Sequence, residues 1–170
     1  MHNSLHHTPS RHKLQLGWQE FLCALHLTHF VTFNFNFHNH TSMKSAHRML
    51  GEFGVRINRM LHGQNYHKKP AHLMTWFIVI PEHKDSNLHF HGILYTANIE
   101  GFNAAAEALW QKIVASGQLY FERKSYTADD KKNITKYITK CMTKYNSFDD
   151  AYFFGRKNMA NTIAGKGTSL

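Results

Sequence analysis

No apolar run in this 170-residue chain approaches the ~18 residues that span a bilayer, which excludes a membrane helix. The N-terminal region carries His and Arg but no apolar stretch of signal-peptide length, so a cytoplasmic protein is expected. Cysteine is scarce. Cys23 and Cys141 show no metal-ligand spacing and sit in apolar helical contexts, as core thiols of a reducing compartment do. There is no G-x-x-x-x-G-K-[ST] phosphate loop, so any nucleotide-driven motor must be a separate protein. Acidic residues are also few: 11 against 20 Lys and Arg gives a net charge of +9 and a pI near 9.6. That balance points to an anionic partner, nucleic acid being the usual one, although a solvated basic surface gives the same figure.

What is present is a core. Hydrophobic content of 42% and aromatic content of 14% argue against global disorder, and the length suits a single domain. Residues 1–16 are polar, His-rich and without period, and read as a flexible arm. Residues 17–150 read as the main domain and 151–170 as a C-terminal tail. Trp18 to Leu27 has a short helical pattern. Phe30 to Phe37 alternates, with Phe33, Phe35 and Phe37 on one face and Thr32, Asn34 and Asn36 on the other. Ser42 is placed to cap a helix running to about His62, weakened by Gly51 and Gly54. Met74 to Ile80 is a buried-type strand ended by Pro81, and Leu88 to Tyr95 returns after a turn at Lys84–Asn87. A helix from Asn103 ends before Gly117, a strand covers Gln118 to Lys124, and a last helix covers Lys131 to Tyr145. The order helix, β-α-β-β-α-β, helix predicts an α+β fold: a ferredoxin-like split β-α-β core with a central antiparallel sheet and an extra N-terminal helix.

His89-Phe90-His91-Gly92 lies in the second strand of the predicted hairpin. Alternation puts both imidazoles on one face, where neutral imidazole can ligate a divalent metal. With 15 His in the chain, composition alone yields roughly one such pair, and His38-Asn39-His40 is a second. Support comes from pairing. A hairpin with an even loop centred on Asp85-Ser86 sets Glu82 opposite His89 and Ile80 opposite His91, giving a His2-carboxylate set suited to Mg²⁺ or Mn²⁺. A one-residue bulge at Pro81 would put His83 there instead.

The last helix adds a stripe of Lys136, Tyr137, Lys140 and Lys144 beside an apolar stripe of Ile134, Ile138, Cys141, Met142 and Tyr145. A phenol at the edge of a core is usually an amphipathic filler. Flanking ammonium groups favour phenolate and attract phosphate, which makes Tyr137 a candidate nucleophile toward a phosphodiester.

Phe30-Val-Thr-Phe-Asn-Phe-Asn36, His89-Phe-His-Gly92 and Tyr137-Ile-Thr-Lys140 together resemble the three ordered motifs of HUH endonucleases. The nearest likeness is to single-tyrosine replication initiators of rolling-circle plasmids, phages and small single-stranded DNA viruses. The resemblance spans about residues 30 to 145. It implies His89 and His91 as metal ligands with an acidic or polar third ligand, for which Pro81 occupies one expected position and Glu82 the next. It also implies Tyr137 as nucleophile and Lys140 as its helper at the scissile phosphate. The implied activity is site-specific nicking and joining of single-stranded DNA through a 5′-phosphotyrosine, starting rolling-circle replication at an unpaired or hairpin origin, with a separate helicase and host replication proteins as partners. Charge and face add Thr32, Asn34, Asn36, Arg123, Lys124 and Lys136 as candidate DNA contacts. A single-tyrosine transposase with the same chemistry is the nearest variant. A non-catalytic ferredoxin-like nucleic-acid module and a water-using metal hydrolase are the rivals from other classes.

Overall fold

The computed structural model of the chain describes residues 10–35, 41–83, 86–97, 100–122, 126–145 and 150–155. Asn36, Arg123 and Lys124 lie outside these residues, as do the side chains of Cys141, Lys144 and Tyr145.

The alternation of β1 (His29–Asn34) and the continuous burial of β2 (Trp76–Glu82) reflect a sheet covered on both faces. With β3 (His89–Tyr95), β4 (Gln118–Glu122) and β5 (Tyr152–Phe154) they form a five-stranded antiparallel sheet in the order β4-β1-β3-β2-β5. The described residues thus make an α+β fold with four α-helices. α2 (Met43–His62) and α3 (Phe102–Ile113) bury Leu50, Phe53, Ile57 and Trp110 against one face, with Val31, Phe33, Phe77, Val79 and Phe90. α1 (Arg11–Ala24) and α4 (Ala128–Tyr145) cover part of the other, where Leu22, Ile138 and Met142 meet Trp76, Ile78, Ile80 and Ile93.

Three elements differ from the sequence expectation. α1 starts at Arg11 rather than Trp18, capped by the Ser10 hydroxyl, which accepts from the Lys13 amide. Its polar first turns carry no core pattern. Its inner side is fixed later along the helix by α4, where Gln19 Nε2 donates to Thr139 Oγ1 at 3.0 Å. β2 continues through Pro81 to Glu82. Pro is tolerated there because β5 pairs only with residues 77–79, so the missing N–H interrupts no ladder on that edge.

Finally, Tyr152–Phe154 in the expected tail is the fifth strand. Phe154 stacks on Phe77 with centroids 5.3 Å apart, and it rests on α2 where Gly54 leaves room. A Cβ at Gly54 would lie 2.4 Å from the Phe154 ring, and one at Gly51 would lie 2.7 Å from the Tyr152 hydroxyl. The two glycines that weaken α2 as a helix make it a seat for β5.

Candidate functional site

The β2–β3 hairpin has the register expected from its loop: Glu82 opposes His89 and Ile80 opposes His91. Directly opposed residues share a face, so the Glu82 carboxylate meets both imidazoles. Its Oε2 lies 3.2 Å from His89 Nε2 and 3.1 Å from His91 Nε2. The three side chains are 12–15% exposed, covered but reachable from solvent. One donor atom from each lies within 4.8 Å of the others, and among the described residues no other group of His, Cys, Asp or Glu meets that condition. His83 is outside the set. It leaves the strand with a left-handed φ of 52°, and its Nε2 is 3.8 Å from Glu82 Oε1.

Why β3 and β2 approach closely here is visible at Gly92. A Cβ on Gly92 would sit 1.9 Å from the Ile78 carbonyl oxygen and 2.7 Å from the Val79 Cα. Only glycine permits that backbone contact beside His91.

The remote ring nitrogens are both held. His89 Nδ1 is 2.8 Å from the Asn87 carbonyl oxygen. A carbonyl only accepts, so Nδ1 carries the proton, and in a neutral ring Nε2 presents a lone pair to the Glu82 carboxylate. Two acceptors facing each other at 3.2 Å need a second imidazole proton or a cation between them. His91 Nδ1 lies 2.8 Å from the Thr32 hydroxyl. Burial first, then the neighbouring His89, hold the His91 ring down from 6.5 to about 4. At neutral pH it is therefore an uncharged imidazole, the form that ligates metals. Two imidazole nitrogens with a carboxylate, each ring oriented by a second hydrogen bond, fit a divalent cation with open positions.

α4 brings Tyr137 to the same place. Its ring meets His91 edge to face, with centroids 5.4 Å apart at 75°, and meets Phe30 at 6.1 Å and 79°. Phe30 itself stacks on His91 at 5.9 Å, nearly parallel. Tyr137 is 47% exposed, and Lys136 and Lys140 are exposed on the same helix, whereas Ile138 and Met142 are buried. The α4 stripes expected from sequence are thus oriented with Ile138 and Met142 inward and the Tyr–Lys side outward. A cleft of about 290 Å³ opens beside Tyr137, lined also by Phe30, Glu122, Asn133 and Ile134.

Of the sequence-based candidates, the structure gathers Glu82, His89, His91, Thr32 and Tyr137. Thr32 meets His91 rather than facing open solvent. Asn34 ends β1 opposite His89, and its carbonyl accepts from the Trp110 indole at 3.0 Å. Sequence reasoning missed Tyr126, whose hydroxyl donates to the Glu122 carbonyl and accepts from the Phe30 amide at 2.7 Å. It also missed Glu122 and Asn133. Nothing in the spacing of these three residues distinguishes them from loop and surface positions. No family model, curated protein or solved structure matches the chain.

Proposed function

We propose that the chain is a metal-dependent single-tyrosine endonuclease and strand transferase of the HUH type, acting on single-stranded DNA to initiate rolling-circle replication. The α+β sheet would then be the ferredoxin-like core of that family. The observation that carries this reading is Tyr137, an exposed phenol 5.4 Å from the ring of His91, beside a three-donor group. A non-catalytic binding module needs neither the donor group nor an exposed tyrosine next to it. A water-using hydrolase leaves the tyrosine idle.

Glu82, His89 and His91 would hold Mg²⁺ or Mn²⁺, which when bound polarises a nonbridging phosphate oxygen. The Tyr137 oxygen attacks phosphorus and loses its proton, and a Tyr–O–P bond forms as the P–O3′ bond breaks. The departing oxygen gains a proton and becomes a free 3′-OH that can prime synthesis. Reversal by a 3′-OH rejoins the strand, because the phosphodiester energy is kept in the tyrosyl link. Lys140, one turn after Tyr137, supplies positive charge where negative charge accumulates, and Lys136 and Asn34 would contact the strand.

Incubation with Mn²⁺ and a pool of single-stranded oligonucleotides, including hairpins, tests the proposal. A protein–DNA adduct that survives denaturant and disappears in Tyr137→Phe is expected. Cleavage without adduct would assign the attack to water, and an adduct retained by Tyr137→Phe would remove this tyrosine from its role. A joining product at a transposon end rather than an origin-like hairpin would favour the transposase variant.

A further inference from the structure

Tyr137 forms one wall of the cleft, and its other walls, Phe30, Glu122, Asn133 and Ile134, take no part in the metal group or in the attack on phosphorus. We propose that the cleft receives one unstacked base of the bound strand, and that Glu122 and Asn133 select a base bearing an exocyclic amine over thymine. This rests on Tyr137 acting on single-stranded DNA, and it adds which base the strand must present.

Three observations support it. At about 290 Å³ the cleft is at the low end of ligand-pocket volumes, of a size for a single heterocycle. Its aromatic wall is fixed: Phe30 stacks on His91 and meets Tyr137 edge-on, and such a ring stacks any base. Phe30 and Glu122 are directly opposed on β1 and β4. The Tyr126 hydroxyl ties their backbones together, so platform and carboxylate are placed as a unit at the sheet edge.

The third observation is the sign of the charge. In a chain of net charge +9, the acid lining this cleft would repel a phosphate, whereas a base edge offers N–H donors. The phosphate belongs toward Lys136 and Lys140 and the base toward Glu122. Cytosine offers its N4 amine to a carboxylate, and adenine and guanine offer theirs. Thymine turns carbonyl oxygens toward it, with its one ring N–H between them. The Asn133 carboxamide, donor and acceptor together, can serve the adjacent acceptor of an amine-bearing base.

The test is binding of the full chain, in chelator, to labelled oligo(dC) and oligo(dT) of equal length, read by fluorescence anisotropy. Oligo(dC) is expected to bind about fivefold or more tightly, within the range of one good base contact. Glu122→Gln, whose amide accepts and donates, should bring the ratio close to one, and Asn133→Ala should lower it. Glu20→Gln removes an acidic charge at an exposed position of α1 and should leave the ratio unchanged. Equal binding of the two strands by the wild type, or a ratio that Glu122→Gln does not move, would overturn the proposal. An intact ratio with no covalent adduct would remove the nickase and keep the base site; an adduct with no ratio would do the reverse.

Discussion

Thr32 on β1 stands directly opposite His91 on β3, and its hydroxyl lies 2.8 Å from His91 Nδ1. That contact orients the ring so that Nε2 meets Glu82 at 3.1 Å. Supporting partners of metal-bound histidines typically contribute ~10–100-fold in affinity. Thr32→Val keeps the shape and removes the hydroxyl, so Mn²⁺ affinity measured by calorimetry should fall by about that factor. Thr32→Ser should stay near wild type. Equal affinity in Thr32→Val would show that the hydroxyl does not position the ring.

Glu82 and His83 are adjacent, but only Glu82 shares the site. Glu82→Gln, which leaves the shape and removes the charge, should weaken Mn²⁺ by more than ~100-fold, beyond the effect of a supporting partner. His83→Ala should change it by less than about threefold, since its Nε2 lies 3.8 Å from the far carboxylate oxygen and it stands outside the donor set. Reversal of that order would mean that the strand is shifted by a residue in solution.

Acid should destabilise the metal-free fold through His91. The unfolded ring takes up its proton near 6.5 and the folded ring only near 4, because burial and then His89 oppose the charge. Between those values the unfolded state binds more protons, so unfolding free energy drops as pH falls through the window. Above 6.5 this group adds no slope. Urea melts in chelator should show a shallower dependence between these limits in His91→Gln. An unchanged slope, or one of opposite sign, would contradict a buried neutral His91.

Gly54 should invert the usual helix rule. Alanine is favoured over glycine in a helix interior by about 1 kcal/mol, yet a Cβ here meets the Phe154 ring at 2.4 Å. Gly54→Ala should therefore destabilise by about 1–3 kcal/mol, as overpacking does, and should increase proteolysis near β5. A gain in stability in thermal melts would show that β5 is not seated on α2.

The parts of the site that local rules govern were legible in the sequence. A short even loop fixes hairpin register, so Glu82 and His89 could be paired from residue numbers. The 3.6-residue period of α4 separated Tyr137 from Ile138 and Met142. Contacts made across long stretches of chain were not legible. Thr32 and His91 are joined by β1–β3 pairing with no turn to set it, so the side of the strand was readable but not the partner. β5 is three residues long, and its sequence traces, the aromatic run Tyr152-Phe153-Phe154 and a pair of glycines in α2, are too short and too far apart to mark a strand or its seat. Arg11 to Leu16 carries no apolar period, so nothing local marks it as helix. Tyr126, Glu122 and Phe30 come together only when β4 closes the sheet edge.

In the proposed reaction Tyr137 itself becomes linked to DNA. Trypsin cuts after Lys136 and Lys140, so the linked residue falls in the fragment Tyr137-Ile-Thr-Lys140. Mass spectrometry of the digested adduct should find that fragment carrying the 5′-nucleotide, in Mn²⁺ and not in chelator. Nucleotide on a fragment containing any other tyrosine, or an adduct formed equally well without metal, would contradict the account.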